Sequence, residues 1–217
     1  MKLLNIEPQR LAAYVEAQVR NLLPLGEDPE FRLIGHHLPQ ALDRLDRCIS
    51  QVRMWTPGQF DVLHSSQYCL FLYYLANTIW RAEASRGLCT KLFLLNKALN
   101  GIDCFYEIEL PEVMFIGHSV GIVLAKATYG NHLVLYQNST VGKNHGVAPV
   151  LEDGVILYPN TAVIGNSLVR QRSVISQGVS VIGQDTLAHH LAFQGPAGGL
   201  TFKMSSRDIL SDFFRDV

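Results

Sequence analysis

Between residues 151 and 181 the aliphatic positions recur every six residues, at Leu151, Leu157, Val163, Val169, Ile175 and Val181. That period is neither the 3.6 of a helix nor the 2 of a strand. Four residues after the first five of these stand Val155, Thr161, Ser167, Ser173 and Val179, all small or β-branched. A hexapeptide repeat of this form predicts a parallel β-helix, each unit a short strand and a turn. Its aliphatics point into a narrow prism, where limited room favours small neighbours. An antiparallel meander would carry turn signals about every 8–12 residues instead.

An earlier set, Val123, Tyr129, Leu135 and Val141, precedes this run, with Ala127, Leu133 and Ser139 four residues after its first three members. The next aliphatic in register is Leu151 and not residue 147, so four extra residues must leave the coil. They fall in "GKNHGVAP", which carries Lys143 and His145. A loop expelled from a rigid solenoid is where function concentrates.

Ahead of the repeats the pattern is helical. Leu11, Val15, Val19 and Leu22 share one helical face, as do Leu38, Leu42, Leu45 and Ile49. The stretch from Tyr68 to Trp80 is apolar on nearly every side, which predicts a helix buried in a bundle or at a subunit contact. Asn100-Gly101 is a helix stop. The expected fold class is α+β, with an α-helical domain over 1–101 and a β-helix over 102–186. A tail over 187–217 follows, with a short amphipathic helix capped by Ser205 or Ser206.

Bulk properties allow this division, with 217 residues, 48% hydrophobic and 17% charged. The net charge of −1 and the lack of a basic run interleaved with aromatics give no sign of a nucleic-acid partner. Cys48, Cys69, Cys89 and Cys104 form no C-x-x-C pair and read as reduced, buried residues. The N-terminus has no signal-peptide core, and "YCLFLYYLANTIW" is too short to span a bilayer, so a cytoplasmic protein is expected. His189 and His190 are adjacent and do not have metal-ligand spacing on a helix, and no metal is expected.

"FIGHSVGIV", "LYQNSTVG" and "LEDGVILYPNTAVIGNS" resemble successive parts of the serine O-acetyltransferases among the hexapeptide acyltransferases. The resemblance covers about residues 68–185, and its most specific element is His118 before Gly121-Ile122-Val123. It implies a left-handed β-helix, an exception to the usual right-handed crossover. It further implies a homotrimer or dimer of trimers with sites between chains, and acetyl-CoA as co-substrate. His118 would be the general base that takes the proton of an acceptor hydroxyl, a role suited to an imidazole with a pKa near ~6.5. Asp103, fifteen residues earlier, matches the orienting carboxylate, although the His-Pro that accompanies it in the family is missing.

Carried over in the same way, His145 either replaces the loop's Arg-His pair, under which Val147-Ala148 fall, or is an ordinary loop residue. Gly142 and Lys143 match the thioester end of the donor groove, and Pro159 and Gln177 its pantetheine stretch. Pro159 has no N–H to donate, though its carbonyl can accept. Arg170, Arg172, Lys203 and Arg207 are candidates for the CoA phosphates, with surface solvation as the competing reading.

Gly117 stands where the family has an acidic residue for the amino group of serine, and only Asp61 lies near its helical-domain partner. A zwitterion needs paired charges when buried, so the acceptor is serine or another small hydroxyl compound, with a sugar or polysaccharide unit as the alternative. A non-catalytic trimeric scaffold is the remaining class. Family members that bind cysteine synthase insert an extended tail ending in isoleucine, whereas this tail has a helical pattern and ends on Val217, so that partner is not strongly predicted.

Overall fold

The protein, described here by a computed structural model over residues 1–196 and 198–216, begins with four helices. These are α1 (Leu11–Leu22), α2 (Arg32–Gln51), α3 (Ser65–Glu83) and α4 (Arg86–Asn100). Ala197 of the Gly-Pro-Ala segment and the terminal Val217 lie outside the described residues. The predicted stripe of α1 is buried at Leu11, Val15 and Val19, whereas Leu22, at the helix end, is exposed. Helix α2 starts earlier than its Leu38–Ile49 pattern suggests and contains Pro39. A proline there gives no hydrogen bond to the carbonyl four residues back, that of Gly35.

Helix α3 packs between α2 and α4 and is buried from Ser66 through Ile79. Helix α4 ends at Gly101, whose φ of 66° is the left-handed stop that the sequence signals. Two short strands, β1 (Lys2–Leu4) and β2 (Gln59–Asp61), pair in parallel beside the helices. No helix among the described residues is long and apolar enough to cross a membrane.

From Asp103 the chain winds as a parallel β-solenoid. Its short strands are β3 (Asp103–Cys104), β4 (Met114–Ile116), β5 (Val123–Leu124), β6 (Thr128–Tyr129), β7 (Leu133–Leu135) and β8 (Thr140–Gly142). They continue as β9 (Val150–Leu151), β10 (Ile156–Leu157), β11 (Ala162–Ile164), β12 (Leu168–Val169), β13 (Val174–Ile175) and β14 (Ser180–Ile182). Three faces result, in the orders β14-β11-β8-β5-β3, β13-β10-β7-β4 and β12-β9-β6.

The register explains the period. Leu157 pairs with Ile175, and Val163 with Val181, one eighteen-residue turn apart. Across the loop the offset is larger by four, as in Leu135 with Leu157 and Val141 with Val163. The four extra residues therefore leave the coil between β8 and β9, as the spacing predicts.

One expected position is corrected. Val123 is 44% exposed and Leu124 only 4%, and it is Leu124 that pairs with Val141. The step from Leu124 to Tyr129 is one residue shorter than a hexapeptide, so the first coil enters the ladder one residue out of phase.

The small residues do more than fit. Ser139, Thr161, Ser167 and Ser173 are buried, and their hydroxyls bond one another or backbone carbonyls. Thr161 Oγ1 donates to Ser139 Oγ at 3.2 Å, and Ser167 Oγ to the Ile164 carbonyl at 3.0 Å. The hydroxyls that these residues bring inside the prism thus find partners there, as buried polar groups must.

The tail opens as a hairpin. β15 (His190–Gln194) extends the solenoid by pairing in parallel with β13, and β16 (Leu200–Met204) returns antiparallel to β15. The short helix is a single 3-10 turn, Ile209–Asp212, and its cap is Asp208, which accepts from Leu210 N, and not Ser205 or Ser206. The chain then folds back on the helices. Phe214 is buried, and the Arg215 guanidinium donates to the carbonyls of Ser50, Val52, Arg53 and Trp55. Ser50 lies in the last turn of α2, whose carbonyls have no partner within the helix, and the other three follow it.

Candidate functional site

His118 lies exposed in the turn between β4 and β5. That turn is braced from three sides. Gly117 N donates to the Leu135 carbonyl at 2.8 Å and Gly121 N to the Gly101 carbonyl at 3.0 Å. The buried Ser119 donates its hydroxyl to the Asn100 carbonyl at 2.6 Å. Behind Ser119 runs an amide relay, in which Asn100 Nδ2 donates to Asn96 Oδ1 at 2.8 Å and Asn96 Nδ2 to the Cys69 carbonyl at 3.0 Å. Helices α3 and α4 thus fix the backbone that carries His118. Ser119, Asn96 and Asn100 have no periodic signature and escape a sequence reading.

Asp103 opens β3 and pairs in register with Val123, a few residues beyond His118. Its carboxylate accepts from Lys97 Nζ at 2.6 Å, and no hydrogen bond joins it to His118 among the described residues. Both members of this ion pair are partly exposed, so the contact is weak and exchangeable.

The turns between the β4 face and the β8 face stack as a column. Asn138 N donates to the Val120 carbonyl, Asn160 N to that of Gln137 and Gly178 N to that of Pro159, at 3.0, 3.1 and 3.0 Å. Gly121, Asn138, Asn160 and Gly178 all have φ between 59° and 75°. Asparagine tolerates this conformation, and Asn138 Nδ2 donates to Asn160 Oδ1 at 2.9 Å along the column. His118, Pro159 and Gln177 share this corner. The Pro159 carbonyl already accepts from Gly178, and the Gln177 side chain is exposed.

The expelled loop sits at the next corner, between β8 and β9. Asn144 and Val147 exchange both backbone hydrogen bonds, at 2.9 and 3.0 Å, around His145 and Gly146 with φ of 48° and 80°. Positive φ at both central residues makes this the tight hairpin turn that favours glycine. His145 and Lys143 are exposed on it. At its base a Cβ on Gly142 would stand 2.7 Å from Ile164 Cδ1, the end of a side chain that would have to turn aside. One chain therefore splits the candidate residues between two corners, with His118, Pro159 and Gln177 on one and Gly142, Lys143 and His145 on the other.

The place beside His118 is occupied. A Cβ on Gly117 would lie 2.5 Å from Tyr136 Cε1 and 2.6 Å from Cδ1. Tyr136 packs between Phe115, Tyr158 and Phe213, and burial with the neighbouring Tyr158 raises its phenol pKa. Asp61 is engaged elsewhere, accepting from Asn5 Nδ2 at 2.7 Å and Leu63 N at 2.9 Å.

Three of the four candidate phosphate ligands meet carboxylates. Arg172 pairs with Asp208 at 2.5 Å, Arg207 with Asp212 at 2.6 Å and Arg170 with Glu152 at 3.6 Å. The four cysteines are free and buried, and burial pushes the Cys48 thiol up to about 11. His190 Nδ1 lies 2.7 Å from the Ala188 carbonyl. A separate group, His36, His37 and Glu83, belongs to α2 and α3, where His37 Nε2 lies 3.0 Å from Glu83 Oε1.

No protein-family model matches the chain, and no curated protein matches it in sequence. Solved structures do match. The Neisseria gonorrhoeae serine acetyltransferase superposes with a TM-score of 0.70 at 16% identity, over 93% of this chain and 80% of that one. Soybean serine acetyltransferase complexed with serine gives 0.65 at 16%, over 89% and 84%. A serine acetyltransferase in complex with CoA gives 0.65 at 14%, over 89% and 83%. Helices followed by a parallel β-solenoid are the fold that this chain shares with the serine acetyltransferases.

Proposed function

We propose that the protein is an acetyl-CoA-dependent O-acetyltransferase in which His118 is the general base. The observation that carries this reading is an exposed histidine on a turn braced by α4, in a fold shared with serine acetyltransferases, one of them solved with CoA. His118 takes the acceptor's hydroxyl proton as its oxygen attacks the thioester carbonyl, and passes that proton to the departing CoA thiolate. Such assistance contributes about 10²–10⁴-fold. Asp103 fixes the imidazole once it exchanges Lys97 for His118. Acetyl-CoA lies along the turns of Gly142, Lys143, Pro159 and Gln177, with the carbonyls of the turns as acceptors.

The split between two corners favours assembly. A homotrimer sets the His118 corner of one copy against the His145 corner of the next, which completes a site that one chain leaves in halves. The chain divides near residue 101 into a helical domain and the β-helix, and works in the cytoplasm on a small hydroxyl acceptor.

A scaffold without catalysis is the second reading, and the Lys97–Asp103 pair favours it, because it leaves His118 without its orienting partner. Free-thiol release from acetyl-CoA, with L-serine, L-homoserine and a panel of sugars as acceptors, decides between them. Acceptor-stimulated release supports the transferase. A folded oligomer that no acceptor stimulates supports the scaffold.

A further inference from the structure

The outer edge of the β4-β7-β10 face beside His118 carries Gly117, Tyr136 and Tyr158 on successive coils, each donating its backbone N–H to the next coil. The Tyr136 and Tyr158 rings lie 5.6 Å apart at 35°, both half-buried. Among the described residues the contacts of these two side chains are ring contacts, and no hydrogen bond is formed by either phenol hydroxyl. Beneath them Phe115 and Phe213, both nearly fully buried, hold the rings in place. The acidic residue next to Phe213, Asp212, is held by both guanidinium nitrogens of Arg207, which lies near the Tyr158 phenol, and Asp103, on the neighbouring face, is taken up by Lys97.

A zwitterionic amino acid brought to this edge would lose hydration from an ammonium group without gaining a free carboxylate. Any acidic side chain introduced at Gly117 would strike the Tyr136 ring. An uncharged ring with several hydroxyls suits the edge better, since it can lie against a phenol face and bond the two free hydroxyls. We propose that Tyr136 and Tyr158 form the acceptor wall and select a sugar hydroxyl over an amino acid. The wall rests on the reading of His118 as the base only for its link to turnover, and binding tests it separately.

Saturation-transfer NMR on the full-length protein, with methyl β-D-glucopyranoside, N-acetylglucosamine and L-serine as probes, reads the wall directly. At least one sugar binds wild type, and L-serine does not. Tyr136→Ala loses sugar binding at least tenfold. Tyr136→Phe, which keeps the packing and removes the hydroxyl, loses about threefold to tenfold, the worth of one hydrogen bond. The double variant Gly117→Asp/Tyr136→Ala gains serine binding.

Serine binding to wild type as tightly as either sugar overturns the wall, as does sugar binding that both Tyr136 variants leave unchanged, or no sugar binding at all. Sugar binding that depends on Tyr136, together with thiol release indifferent to His118→Ala, upholds the wall and defeats the base.

Discussion

The two halves of the molecule solve burial in opposite ways. In the helices the interior is aromatic and irregular, with Tyr68, Phe71, Tyr73 and Tyr74 buried along a single helix. In the solenoid it is aliphatic and repetitive, with Leu135, Leu157 and Ile175 stacked in one column and Val141, Val163 and Val181 in another. A repeating backbone imposes the same cross-section on every coil, so the same residue class returns at each step. A helical bundle has no such constraint, and each gap is filled by whatever shape fits it.

The polar atoms of α3 also have a task that the solenoid interior lacks. The segment between β3 and β4 forms no strand, so its carbonyls need partners. Tyr73 Oη donates to the Ile108 carbonyl at 2.7 Å and accepts from Leu110 N at 2.9 Å. Asn77 Nδ2 donates to the Tyr106 carbonyl at 2.8 Å, and Tyr74 Oη to that of Glu112 at 3.2 Å. The helices thus complete the first coil, which has no preceding coil to pair with.

Four changes probe this contrast. Phe71→Ala in α3 should cost about 3–5 kcal/mol and Leu157→Ala in the solenoid about 2–5 kcal/mol, both read by denaturant unfolding. Separate transitions for the two variants would show halves that melt independently, and one shared transition would show the helices and first coil unfolding together. Arg215→Ala should cost about 1.5–3 kcal/mol, because the guanidinium joins the tail to the end of α2. Faster proteolysis after Met204 is the expected signature. Gly121→Ala, which forces a Cβ into Asn138 at a φ of 75°, should cost about 1–2 kcal/mol and weaken the turn of His118.

The smallest effect concerns pH. Lys91 Nζ lies 2.5 Å from Asp28 and holds its carboxyl below the usual value, helped by Glu30 N. A depressed carboxyl gives stability that is present above its unfolded pKa of about 3.9 and is lost as pH falls through the folded value. Lys91→Met should remove part of that dependence, and unfolding midpoints between pH 5 and pH 3 would show it.

The six-residue period made the parallel solenoid and its expelled loop legible in the sequence. The slip at Val123 was not, because both it and Leu124 are aliphatic and only the one-residue-short coil tells them apart. The hairpin of β15 and β16 was hidden because β15, His190–Gln194, does not alternate, although Leu200–Met204 of β16 does. At the candidate site, His118 stood out through its neighbours, but Ser119, Lys97 and Tyr136 act through contacts that bring distant coils and helices together. Such contacts have no period.

The most direct test of the account compares acceptor-stimulated thiol release by wild type and His118→Ala under conditions where both remain folded and bind CoA. The account predicts a loss of about 10²–10⁴-fold in the variant with CoA binding unchanged. Equal rates for the two proteins would contradict it.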